Sequence, residues 1–149
     1  MSLLLDDASM ARVLKESRTV AVIGAHPNPI RPSHFVPQYL LEHGYDVYPV
    51  NSRKAGEALW GKTIVPDLRQ LEVPMDVVDV FRRADALDGH LEEILGMSPR
   101  PKVVWLQKGI RNDLFAAALS AEGIDVVQDR CMLKEHERLV MGVEASRVG

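Results

Sequence analysis

Residues 19–27 read Thr-Val-Ala-Val-Ile-Gly-Ala-His-Pro. Four consecutive apolar, mostly β-branched residues fit a strand buried on both faces. That strand must end at Gly24, because a loop with two prolines follows and helical spacing begins near Ser33. A buried strand that turns at a glycine into a helix is how a doubly wound α/β domain begins. The glycine allows a sharp turn and lets a phosphate approach bare N–H groups, and the helix start adds partial positive charge. The full dinucleotide fingerprint needs two further glycines, whereas Pro27 and Pro29 stand in this loop. The loop therefore signals a phosphate-bearing ligand without specifying a dinucleotide.

The rest of the chain repeats the alternation. Asp6 caps a first helix, with Met10, Val13 and Leu14 on one face. After the strand at 19–23, a helix capped by Ser33 runs to His43, with Pro37 in its first turn or at an irregular start and Gly44 as the residue that ends it. Further strands are expected at 46–50, 75–81, 102–106 and 124–127. An extended piece lies at 62–65, and a short helix capped by Asp67 runs to Leu71. Longer helices are expected at 84–95, with Leu87, Leu91, Ile94 and Leu95 inward, and from the cap Asn112 to 121, ended by Gly123. Residues 132–139 read as helix and the last residues as frayed. The expected architecture is α/β and Rossmann-like, a five-stranded parallel sheet in the order 3-2-1-4-5 with helices on both faces.

Composition removes several function classes. A length of 149 residues suits one domain, taken as 1–149. A net charge of -3 gives no basic field for nucleic acid, and no apolar run approaches a membrane span. The single cysteine excludes an internal disulfide and suits a reducing compartment; with no signal-peptide pattern, the expected location is the cytoplasm. The five histidines show no metal-ligand spacing, so no metal is expected.

In such a fold the ligand lies at the carboxyl ends of the strands. The candidates there are Gly24, Ala25, His26, Pro27, Asn28 and Arg31 after the first strand, and Asn51, Arg53 and Lys54 after the second. After the third and fourth strands come Val80, Phe81 and Arg82, then Gln107 and Gly109. An NAD site would carry an acid after the second strand; Asn51, Arg53 and Lys54 instead suit a phosphorylated ribose, as in NADP or coenzyme A. Against this stands the plainer reading of Arg53, Lys54 and Arg82 as solvated loop charges.

Further motifs are set aside. Residues 56–63, Gly-Glu-Ala-Leu-Trp-Gly-Lys-Thr, match the phosphate loop G-x-x-x-x-G-K-[ST], but Ile64, Val65 and Pro66 follow where a helix should open. Cys131 beside Arg130 could be reactive, yet His136 is only five residues on and a small buried residue is the simpler reading. No tyrosine is followed four residues later by lysine, and no G-x-S-x-G elbow occurs. No catalytic residue is assigned.

Several segments in order carry a family resemblance. They are residues 20–25, Arg31-Pro32-Ser33, Tyr48-Pro49-Val50-Asn51 and Val78-Asp79-Val80-Phe81-Arg82-Arg83. Trp105-Leu106-Gln107, Gly109-Ile110-Arg111-Asn112, Asp129-Arg130-Cys131 and Glu135-His136 complete the set. Together they resemble the small stand-alone coenzyme A-binding proteins of the YccU type, whose domain is similar to that of the succinyl-CoA synthetase alpha subunit. The resemblance spans about Arg18 to Leu139. It implies coenzyme A as the ligand, with Gly24, Ala25 and the next loop at the pyrophosphate. Asn51 with Arg53 or Lys54 would meet the ribose and its phosphate, Val80 to Arg82 would flank the adenine, and Gln107 and Gly109 would border the pantetheine. His26 stands where the family often has serine. The ligase's phosphohistidine domain has no counterpart here. The expectation is a non-catalytic coenzyme A or acyl-CoA module, forming a homo-oligomer or joining a ligase partner. The alternatives are an NADP-binding redox enzyme or sensor, and a subunit of a separate acyl-CoA ligase.

Overall fold

A computed structural model describes residues 6–142; the fraying expected of the last residues falls outside that range. Among the described residues, five strands form one parallel sheet: β1 (Thr19–Ile23), β2 (Asp46–Val50), β5 (Val77–Val80), β6 (Val103–Leu106) and β7 (Asp125–Val127). Side chains alternate across it with period two. Val20, Val22, Val77, Val103 and Trp105 pack against α1 (Asp7–Glu16), α2 (Pro32–Glu42) and α5 (Met132–Leu139). Ala21, Ile23, Val78, Val80, Val104 and Leu106 face α3 (Asp88–Leu95) and α4 (Asp113–Ala121). The expected class, with helices on both faces, is the one observed.

The strand order differs from expectation. It is β2-β1-β5-β6-β7, or 2-1-3-4-5 when the five expected strands are counted along the chain. The reason lies in residues 62–65. Val65 bridges Val50 in parallel, the Asn51 N–H donates to the Val65 carbonyl at 2.9 Å, and the Val65 N–H donates to the Pro49 carbonyl at 3.2 Å. This segment is a strand reduced to one bridge, and it holds the position outside β2. The next strand, β5, must therefore cross to the other side of β1, where Val20 to Ile23 pair with Val77 to Val80. β5 is buried along its whole length, as a central strand requires, whereas β2 carries Pro49 and an exposed Asp46.

Most end signals hold. Asp6 accepts from the Ser9 N–H, Asp67 from the Arg69 N–H and Asn112 from the Phe115 N–H. Gly44 and Gly123 follow their helices with φ of 94° and 81°. The start of α2 does not hold: Arg31 is its N-cap with no side-chain capping bond, Pro32 opens the helix, and Pro37 lies inside it rather than in the first turn. Proline at the first position fixes a helical φ and lacks only an N–H that would have no partner there, so it outweighs the capping tendency of Ser33. The helix expected at 84–95 is broken into a 3-10 turn at Ala84–Ala86 and α3. Residues 56–63 form a hairpin, β3 (Ala58–Leu59) and β4 (Lys62–Thr63), turning at Trp60 and Gly61 with φ of 54° and 75°. Two positive φ values are what a tight two-residue hairpin needs, so the phosphate-loop match is accidental.

A candidate ligand cleft at the carboxyl edge

The β1 loop is fixed by its backbone. Gly24 has φ +85°, and a Cβ there would lie 2.5 Å from the Phe81 carbonyl oxygen. Only glycine lets the loop cross the end of β5 so closely. The Gly24 N–H donates to the Val50 carbonyl at 2.9 Å. Asn51 then braces the loop from the other side, its Nδ2 donating to the Ala25 carbonyl at 2.8 Å and its Oδ1 accepting from the Arg53 N–H at 2.9 Å. His26 Nδ1 accepts from the Asn28 N–H at 3.0 Å, which leaves the ring proton on Nε2. Burial first, then the charges of Arg31 and Lys54, hold the His26 pKa below the usual histidine value. His26 is thus a neutral donor near pH 7.

A cleft of about 970 Å³ opens between the starts of α2 and α5, the end of β5 and the loop after β6. Phe35, Val36, Phe81 and Ile110 give it apolar walls, and Arg31, Arg82 and Lys134 rim it. A smaller cavity of about 330 Å³ adjoins it, sharing Phe81, Arg82 and Arg83 and adding Arg53 and Ala86. Among the described residues Arg31, Arg53, Lys54, Arg82 and Lys134 make no ion pair, and Arg82 Nε is buried without a partner. Cations that the fold does not neutralise, beside apolar walls, suit a ligand with phosphates at one end and a less polar arm.

The inner wall is polar. Gln107 Nε2 donates to Asp79 Oδ1, and Asp79 Oδ2 has no partner. Asp79 is fully buried between Val22 and Trp105 on the neighbouring strands. Burial pushes its pKa up to about 8, against the opposing effect of the Gln107 bond. Trp105 Nε1 donates to the Arg130 carbonyl at 2.8 Å and so fixes the turn that presents Cys131 to the cleft. Burial raises the Cys131 thiol pKa, while the N–H groups of Lys134 and Leu133 lower it and the Asp79 charge raises it. His136 is no partner for this thiol: its Nδ1 pairs with the Tyr39 hydroxyl at 2.8 Å, and it is 4% exposed.

The structure gathers part of the expected set. Arg31, Phe81, Arg82, Gln107 and Gly109 line the large cleft and Arg53 the small cavity. Gly24, Ala25, His26, Pro27, Asn28, Asn51, Lys54 and Val80 line neither. Ala25 and Val80 are fully buried and present no surface to a ligand. Phe35, Val36, Ile110, Cys131 and Lys134 were missed as a set, since two helix starts far apart in sequence bring them together. A phenylalanine three residues after the proline that opens α2 was the available signal.

Comparison with known proteins bears on the family and the fold. The family model described as CoA binding domain matches residues 18–137. The uncharacterized protein YneT of Bacillus subtilis is 35% identical over 129 residues, 87% of this chain and 93% of that protein. The structure of cell-free ID.343 from Thermus thermophilus superposes with a TM-score of 0.86 at 49% identity, covering 91% of this chain and 99% of the other. A hypothetical protein from Pyrococcus horikoshii gives a TM-score of 0.83 at 34% identity, over 91% and 93% of the two chains.

Proposed function

The chain belongs to the CoA-binding domain family, and on that premise we propose that it binds coenzyme A or an acyl-CoA along the carboxyl edge as a non-catalytic module. The observation that carries this reading is the group of cations without acidic partners, Arg82 above all, where a smaller cavity joins a long apolar cleft. In this arrangement Arg53 and Arg82 hold the phosphorylated ribose and Phe81 lies against the adenine. The β1 loop, with His26 Nε2 as a donor, meets the pyrophosphate. The pantetheine arm runs past Ile110 and Gly109 toward Gln107. Asn51 serves as a brace for the loop, since its side chain already bonds two backbone groups. The non-catalytic part of the reading is supported by His136, which is turned to Tyr39 and away from the one thiol of the cleft.

Calorimetric titration with coenzyme A, 3′-dephospho-coenzyme A and NADP tests the reading. Loss of the ribose phosphate should cost at least ~1 kcal/mol of binding, the value of a charge-assisted hydrogen bond. Arg53→Ala should erase most of that difference. Preference for NADP would favour a redox role, and no binding of any of the three would sink the assignment.

A further inference from the structure

We propose that Cys131 captures a disulfide of coenzyme A, forming a mixed disulfide with the ligand held in the cleft. The inference rests on the coenzyme A reading above and adds a covalent activity to it. Cys131 and Lys134 line only the large cavity, whereas Arg53 and Ala86 line only the small one. A ligand with its phosphates at Arg53 and Arg82 therefore directs its far end, the sulfur end, toward Cys131. An independent observation marks the same place. Asp79 Oδ2 is buried without a partner, and its other oxygen holds the cleft residue Gln107, which lines the same cavity as Cys131. An orphaned buried oxygen is costly, and a polar ligand atom or the water it brings can relieve it.

The surroundings of Cys131 suit disulfide exchange better than acyl transfer. Acyl transfer needs N–H groups aimed at a developing oxyanion. Here Cys131 is the N-cap of α5, its sulfur makes no capping bond, and His136 is turned to Tyr39, so no such donors or base are set around an acyl group. In exchange, charge develops on sulfur alone. The Cys131 thiolate attacks the coenzyme A-side sulfur of R–S–S–CoA, a new S–S bond forms and the old one breaks. R–S⁻ leaves with the electron pair and takes a proton from water, to which Cys131 has given its own. Cys131 is oxidised as the leaving sulfur is reduced, so the ligand disulfide is the only oxidant. A half-buried thiol meets small disulfides slowly; the bound ligand gains by proximity.

The test incubates reduced full-length protein at pH 7.5 with equal concentrations of coenzyme A disulfide or glutathione disulfide and follows intact mass. The expected result is one coenzyme A adduct, reversed by dithiothreitol, forming at least ~10-fold faster than the glutathione adduct. Its rate should saturate with concentration and fall when excess acetyl-CoA competes. Equal rates, no saturation or indifference to acetyl-CoA would overturn the inference. Calorimetry of Cys131→Ser with coenzyme A separates the two claims. Retained binding with no adduct in the wild type defeats the capture alone; loss of binding in both proteins defeats the cleft assignment as well.

Discussion

At the scale of single residues, Gly24 and Asp79 are the two positions where the fold is least free. Gly24→Ala adds a methyl 2.5 Å from a backbone oxygen at a φ of +85°. The left-handed backbone costs about 1–2 kcal/mol and the overlap about 1–3 more. A loss of about 3 kcal/mol in urea unfolding is expected, with weakened coenzyme A binding because the β1 loop shifts; a loss below ~0.5 kcal/mol would show that the loop is looser than the close approach requires. Asp79 acts through pH. Its folded pKa, about 8, lies above its ordinary 3.8 because burial disfavours the carboxylate. Between those values the unfolded chain has released the proton while the folded chain keeps it, so stability falls as pH rises and levels off above about pH 8. His136, paired with Tyr39, works in the opposite sense: burial lowers the His136 pKa, so its contribution is lost as pH falls below the ordinary histidine value. The difference between Asp79→Asn and wild type isolates the carboxyl. The variant should gain about 3 kcal/mol relative to wild type between pH 5 and pH 8. A difference that does not change with pH would mean that Asp79 is ionised in the fold.

At the scale of elements, helices that the sequence caps visibly should respond to loss of the cap. Asn112 opens α4 by accepting from the Phe115 N–H at 3.0 Å, and its Nδ2 donates to the Ala84 carbonyl at 3.2 Å. Asn112→Ala should cost about 1–2 kcal/mol, whereas Asn112→Asp keeps the cap and loses only the second bond. Denaturation midpoints that fall equally in both variants would assign the stabilisation to the link with Ala84. This kind of element was legible because its signals are local: Asn112, Gly44 and Gly123 act within a turn of themselves, and the apolar runs of β1, β5 and β6 need only their own residues. The order of the strands was not legible from the five long runs, because a piece as short as 62–65 fills a place in the sheet with one bridge. The expected order treated it as outside the sheet and shifted the later strands by one. The site divides in the same way. Arg82 and Gln107 follow their strands directly and could be named, whereas Phe35, Cys131 and Lys134 reach the cleft only through the packing of α2 and α5 on the sheet. Asp79 gave no signal as a site residue, since an acid inside an apolar strand declares its cost only when its surroundings are known.

At the scale of the whole molecule, the two apolar clusters lie on opposite faces of one set of strands. Val22 and Ile23 are adjacent residues that belong to different clusters, as are Trp105 and Leu106. Neither cluster can be lost while the sheet remains, so the described residues should unfold as one cooperative unit. Arg138 adds a tie between distant parts of the chain, bonding Asp7 on α1 at 2.8 Å while also holding Glu135 on its own helix. The ligand cleft is built from distant parts of this unit: the start of α2 and the β2 loop at one side, the loop after β6 and the start of α5 at the other. Coenzyme A should therefore stabilise the whole unit by mass action and not one segment of it. At a free concentration one hundred times its Kd the gain is about 2.7 kcal/mol, which for a chain of this size raises Tm by about 5–10 °C. The 3′-dephospho ligand and NADP at the same concentration should raise it less, in the order of their calorimetric affinities. Calorimetric scanning with and without ligand checks both statements at once. A single transition that moves as a whole supports one folding unit carrying one site. Two transitions, of which only one moves, would show that the edge holding β2 and its hairpin melts independently and that binding is confined to the part that remains.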